Sequence, residues 1–167
     1  MRPPWSCWTT PTKSSAPLSA LCLLALAACG PTAPEGVDQA RLDAEISQAI
    51  GDPATCVLLA EAPGGKVVYR YNSNTACDRK LPACDVAGER TIAELVKQTA
   101  ADGQIRALSC NTTTDASRGV AWASGPVPGR AGLAYAAMME GDRAFPGRMM
   151  ADRLARAFRD AGLTPAS

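Results

Sequence analysis

The sequence predicts an α+β domain: an antiparallel sheet of about five strands with helices packed on its faces, in the order α-β-β-α-β-β-β-α. Three observations lead there. Residues 56–71, CVLLAEA-PGG-KVVYRY, read as strand, turn and returning strand. Amphipathic stretches with start and stop signals stand before and after that hairpin, and a third closes the chain. Between the second and third lie three short apolar runs, and strands punctuated by helices suit an antiparallel sheet. A composition of 47% hydrophobic and 20% charged residues is that of an ordinary globular protein, which argues against wholesale disorder.

Each element has its own warrant. Asp38 reads as an N-cap, Leu42, Ile46, Ala49 and Ile50 recur at helical spacing, and Gly51-Asp52-Pro53 stops the helix. Cys56 to Ala62 is the first strand, Pro63-Gly64-Gly65 the turn, and Lys66 to Tyr71 the return, with Val67, Tyr69 and Tyr71 expected on one face. A loop carrying Cys77 and Cys84 follows. Thr91-Ile92-Ala93-Glu94 is a capping box opening a helix with Ile92, Leu95, Val96 and Thr99 inward and Gly103 as its stop. Ile105 to Ser109, Gly119 to Ser124 and Leu133 to Met139 are the remaining strands. The last helix runs from about Pro146 to Ala161, ended by Gly162. Met150, Leu154, Phe158 and Ala161 form its apolar stripe, while Arg153, Arg156, Arg159 and Asp160 are expected in solvent. Met149 and Met150 read as core filler. The aromatics Tyr69, Tyr71, Trp122, Tyr135, Phe145 and Phe158 likewise read as core.

The start of the chain is an address. Leu18 to Ala28 is an apolar run too short to span a bilayer, and only Arg2 and Lys13 are charged before it. A basic lead, a short apolar stretch and small residues at its end describe a secretory signal. Its last residues, Leu26-Ala27-Ala28-Cys29, resemble the lipobox of bacterial lipoproteins. That resemblance implies cleavage before Cys29, a diacylglycerol on its thiol, and a stable anchor from two or more acyl chains. Gly30 after Cys29, rather than Asp, favours the outer membrane facing the periplasm if the host is Gram-negative. Residues 1–28 are thus expected to be a signal peptide, 29–36 a lipidated tether, and 37–167 a single domain.

Charge and residue type narrow the function. Net charge is +1, and −1 once Arg2 and Lys13 are removed, so nothing supports nucleic-acid binding. With no His, neither a Ser-His-Asp nor a Cys-His nucleophile is possible, and no His-ligated metal site. Of seven Cys, Cys7 and Cys22 leave with the leader and Cys29 takes the lipid. Cys56, Cys77, Cys84 and Cys110 remain. An even number in an exported domain argues for two disulfides, with three connectivities open, and the absence of a CxxC spacing argues against zinc. No cofactor is expected. Cys77-Asp78-Arg79-Lys80 matches Cys-x-x-Lys by letter but sits in a charged turn, where a disulfide is the expected state.

The element order and two stretches resemble the penicillin-recognising serine hydrolases, class D β-lactamases above all. The first is CVLLAEAPGGKVVYRYN, followed by Leu81-Pro82-Ala83-Cys84 where that family has Pro-x-Ser before its nucleophile helix. The second is residues 119–163, with Trp122 at the family's Gly-Trp strand, Met139-Glu140, and a helix led by Pro146. The departures bear on function. The family's Ser-x-x-Lys falls on Cys84 and Ala87, and alanine is no base. Its Lys-Thr/Ser-Gly motif, which binds the substrate carboxylate, falls on Ser109-Cys110-Asn111, without the cation; Ala123-Ser124-Gly125 is another placement and also lacks lysine. The family's inserted helical domain has no room here. The resemblance therefore implies a reduced β-lactamase-like core with no catalytic residues expected and a binding or structural role. Two other readings stand beside it. One is residual acyl hydrolysis or transpeptidation of β-lactams or peptidoglycan peptides through Cys84, with Lys80 as base. The other is an unrelated small α+β lipoprotein holding an assembly partner. Expected partners are the membrane through the lipid, and an envelope protein or peptidoglycan.

Overall fold

A computed structural model describes residues 32–164, so the signal segment, Cys29 and residues 165–167 lie outside the described residues. The elements are α1 (Gln39–Ile50), β1 (Thr55–Glu61), β2 (Val67–Tyr71), α2 (Asn74–Cys77), β3 (Leu81–Pro82), β4 (Glu89–Arg90), α3 (Ile92–Asp102), β5 (Arg106–Asn111), β6 (Gly119–Pro126), β7 (Leu133–Gly141) and α4 (Gly147–Asp160). Five of the strands form one antiparallel sheet in the order β2-β1-β7-β6-β5. α1 and α4 cover one face and α3 the other. This is the α+β architecture read from the sequence. The two-residue strands β3 and β4 pair as a separate hairpin. Together with the single turn of α2 they occupy the loop expected around Cys77 and Cys84.

The local signals act as expected. The Asp38 carboxylate accepts the Arg41 N–H at 2.7 Å to start α1. At α3, the Thr91 hydroxyl accepts the Glu94 N–H and the Glu94 carboxylate accepts the Thr91 N–H, the reciprocal pair of a capping box. Gly103 ends that helix in the left-handed region at φ 64°.

The core has two layers because side chains alternate across each strand. Leu133, Tyr135, Ala137 and Met139 of β7 meet Leu42, Ile46, Met150, Leu154 and Phe158 on one side. Ala136 and Met138 meet Ile92, Leu95, Val96 and Trp122 on the other. Within the second layer the Thr99 hydroxyl donates to Ser124 Oγ at 2.8 Å, which satisfies both buried hydroxyls.

Three expectations are corrected. Leu59 pairs with Tyr69 but Ala60 pairs with Val67, so Val68 is the extra residue of a β-bulge. The bulge turns Val67 onto the α3 face while Tyr69 and Tyr71 stay under α1. Arg153 is not a solvent residue: it donates to the Ala49 carbonyl at 3.1 Å and lies 4.1 Å over the Phe145 ring, in the seam between α1 and α4. Met149 is exposed, and Met150 alone of the pair fills the core.

α4 sits against the sheet at its first residue. A Cβ at Gly147 would lie 2.6 Å from the carbonyl oxygens of Leu108 and Trp122 and 2.7 Å from the Leu108 nitrogen. These are backbone atoms of paired strands and cannot move aside cheaply. The same glycine donates its N–H to Ser109 Oγ at 2.9 Å. Gly147→Ala is therefore expected to cost about 3 kcal/mol, the upper end for overpacking. A urea midpoint equal to that of the natural protein would show that α4 does not need this close approach.

Candidate functional site

Cys56, Cys77, Cys84, Cys110, Ser109 and Asn111 gather at one end of the sheet, on and beside the segment 72–90, while Ser124 lies toward the other end, paired with Arg106. That segment leaves β2, crosses beneath the sheet on the α3 side and returns at Thr91. Regular structure supplies few of its hydrogen bonds; Asn72 at its start donates to the Thr55 carbonyl at 2.8 Å, and beyond that four contacts reach four different strands. Arg79 Nη1 donates to Glu140 on β7 at 3.0 Å. Cys77 is disulfide-bonded to Cys56 on β1, with Cα atoms 5.2 Å apart. Trp122 Nε1 on β6 donates to the Pro82 carbonyl at 2.9 Å. Cys84 is disulfide-bonded to Cys110 on β5, with Cα atoms 5.5 Å apart. Two disulfides are thus formed, and the connectivity left open by the sequence is Cys56–Cys77 and Cys84–Cys110.

Cys84 does not stand on a helix. It lies in the loop between β3 and β4 with φ at 68°, in the left-handed region that disfavours a residue with a Cβ. Ala87 is exposed in the same loop. The helix packed on this face, α3, opens instead on Thr91 and Glu94, so its first turn carries a capping carboxylate. Among the described residues no lysine is within hydrogen-bond reach of Cys84 or Ser109. Ser109, on β5, uses its hydroxyl to accept the Gly147 N–H, and Asn111 is exposed at the strand's end.

The hollow bordered by Ser109, Asn111, Phe145 and Pro146 measures about 220 Å³. Sites for small molecules generally measure some 300–1,000 Å³. Two larger grooves, about 550 and 520 Å³, flank the β6–β7 turn at the opposite end of the sheet. No group of three or more metal-ligating side chains gathers among the described residues.

The electrostatic centre of this end is Glu140, which is only 4% exposed. Arg118 grips it with two bonds, Nε to Oε1 at 3.0 Å and Nη2 to Oε2 at 2.9 Å. Arg79 adds a third, and Thr112 Oγ1 stands 3.4 Å from Oε1. Hydrogen bonding from Arg118, then the bond from Arg79, holds the carboxyl below the usual glutamate range against the opposing cost of burial. A carboxylate kept ionised with both oxygens occupied is a poor proton shuttle. Its effect is to tie β7 to the segment 72–90 and to the β5–β6 loop. In the sequence, Glu140 is marked only by the Met139-Glu140 resemblance. The available signal was an acid at the end of the unbroken apolar run LAYAAMM, a place where a charge needs a partner.

Comparison of the chain with protein-family models, curated proteins and solved structures returns no match.

Two outcomes follow from these tethers. Glu140→Gln preserves shape but leaves two guanidinium groups without a charged acceptor, and is expected to cost about 2 kcal/mol. That is less than for a fully buried pair, because Arg79 and Arg118 are partly solvated. Since the folded-state pKa is depressed, this stabilisation is whole above the ordinary value near 4.5 and is lost as pH falls through the lower folded value. Urea titrations should therefore converge for natural protein and variant as the medium is acidified. Removing the second disulfide with Cys84→Ala and Cys110→Ala is expected to cost about 3 kcal/mol for a loop of this length. Amide hydrogen exchange should rise over residues 83–90 while α3 keeps its protection.

Proposed function

We propose that the chain is an envelope lipoprotein, anchored through Cys29, whose domain serves a binding or structural role and catalyses no acyl transfer. The observation that carries the non-catalytic half is the sulfur of Cys84. It is spent in a disulfide to Cys110, on a loop. The lipobox Leu26-Ala27-Ala28-Cys29 supports the anchored half, and two disulfides suit an exported, oxidising compartment. In a Gram-negative host the location is the outer membrane, facing the periplasm. The order of helix, hairpin, helix, three strands and closing helix supports a reduced relative of the penicillin-recognising hydrolases. A single helix stands where that family carries a further domain. The proposed partners are the membrane through the lipid, and an envelope protein or peptidoglycan.

Two measurements test this. Full-length chain produced in bacteria fed an alkyne-tagged fatty acid should carry the label, and Cys29→Ala should lose it. Intact mass of the exported chain, kept non-reduced, treated with a thiol alkylator and incubated with a penicillin, should show neither alkylation nor a penicilloyl adduct. An adduct mapped to Cys84 would replace the non-catalytic reading with residual acyl chemistry.

A further inference from the structure

The fold is polar from end to end. At one end lie Cys56, Cys77, Cys84, Cys110 and the Glu140 cluster. At the other lie the β1–β2 turn, the β6–β7 turn, the last described residues of the chain and, packed among them, its first. Residues 32–36, expected to be tether, belong to the domain. Ala33 packs on the core, the Pro34 carbonyl accepts the Val37 N–H at 3.0 Å, and Arg130 of the β6–β7 turn donates to the Glu35 carbonyl at 2.6 Å. A second Arg130 bond reaches the Leu163 carbonyl at 3.4 Å, so one side chain joins the first and last of the described residues to this turn.

The position of Thr32 has a geometric consequence. Cys29 is three residues before it, and three trans peptide units reach at most about 11 Å however they are arranged. The opposite end is far outside that reach. Leu133 and Glu140 are the ends of an extended run along β7, roughly 24 Å at the rise of an antiparallel strand.

The surface nearest the anchor suits a lipid headgroup layer. Each of its two turns, 62–66 and 127–132, carries one charged side chain, Lys66 or Arg130, and both are basic. Ile105, just before β5 on the same end, is 77% exposed and is the most exposed large apolar side chain among the described residues. The acids nearby, Glu61, Glu35 and, beside Ile105, the Asp102 that pairs with Arg106, offset the charge, so the tether rather than a strong field sets the arrangement.

We infer that this end of the domain, with Lys66, Ile105 and Arg130, is a membrane-apposed surface, held against the bilayer by the short reach from Cys29, and that the disulfide-bonded end points away from it. The inference rests on lipidation of Cys29.

The test uses native lysines in the full lipoprotein, its lipid verified by intact mass, reconstituted in phospholipid vesicles and acetylated from outside. Lys66, whose side chain is 76% exposed in the domain, should lose reactivity, while Lys80 at the far end keeps it. A second chain, with about twenty Gly and Ser residues inserted after Gly30, has a tether with a mean span of roughly 25 Å. In that chain Lys66 should react again. A lipidated protein in which Lys66 and Lys80 react alike would overturn the inference and leave the lipoprotein reading standing. So would a Lys66 equally protected in both chains. A chain without the lipid mass would remove both.

Discussion

β7 has almost no side open to water. From Leu133 to Glu140 every residue is buried, alternately against α1 and α4 on one face and α3 on the other. A central strand of this kind imposes its requirements on the rest of the domain. It needs neighbours on both edges, which β1 and β6 supply, and a cover on each face, which takes helices from three separate stretches of chain. It also needs small side chains where the cover comes close. Ala134, Ala136 and Ala137 stand in β7 itself, while Gly147 lets α4 approach the paired backbones of β5 and β6. Burial on this scale is the dominant favourable contribution to folding, and it accounts for the apolar run that replaces strict alternation in this strand.

How legible this was in the sequence depends on how local each signal is. Caps and stops work through atoms within four residues, so Asp38, the Thr91–Glu94 box and Gly103 could be read directly, and with them the ends of α1 and α3. Apolar runs long enough to be strands were equally plain. What escaped were features set by a partner far along the chain. The bulge at Val68 adjusts β2 to β1, and nothing in KVVYRY distinguishes it from a regular strand. Arg153 looks like any solvent-facing arginine until α1 brings the Ala49 carbonyl beside it, with the Phe145 ring of the segment before α4 beneath. Pairing Cys84 with Cys110 required knowing that the segment 72–90 crosses the whole sheet. Cys84 lies in the loop expected of it, but the two short strands that flank it escaped for a related reason. β3 and β4 form a two-residue hairpin there, too short to leave a pattern, and the helix begins only at the capping box.

The distribution of tethers follows from the distribution of regular structure. At the end bearing Lys66 and Arg130 the connections are short, and one arginine gathers the first and last of the described residues. At the other, nineteen residues between β2 and Thr91 contain one turn of helix and two minimal strands. Ordering each residue costs roughly 1–2 kcal/mol of backbone entropy, and irregular structure regains little of it through ladders of hydrogen bonds. Buried apolar contacts from Cys77, Leu81 and Ala83 contribute something. Cross-links act on the other side of the balance. A disulfide restricts the unfolded chain, and the two here close adjacent, non-overlapping loops.

That division separates what the cysteines do for folding from what they deny to chemistry. A thiol at position 84 could serve as nucleophile only if reduced, and reduction would free the same segment whose position a substrate would need. The backbone makes the conflict sharper, since Cys84 occupies the left-handed region and depends on its surroundings to stay there. An active site gains from holding its reactive group rigidly while leaving it unbonded. Here rigidity at residue 84 is obtained through the bond itself. The same sulfur cannot serve both ends, and the structure commits it to holding the segment against β5.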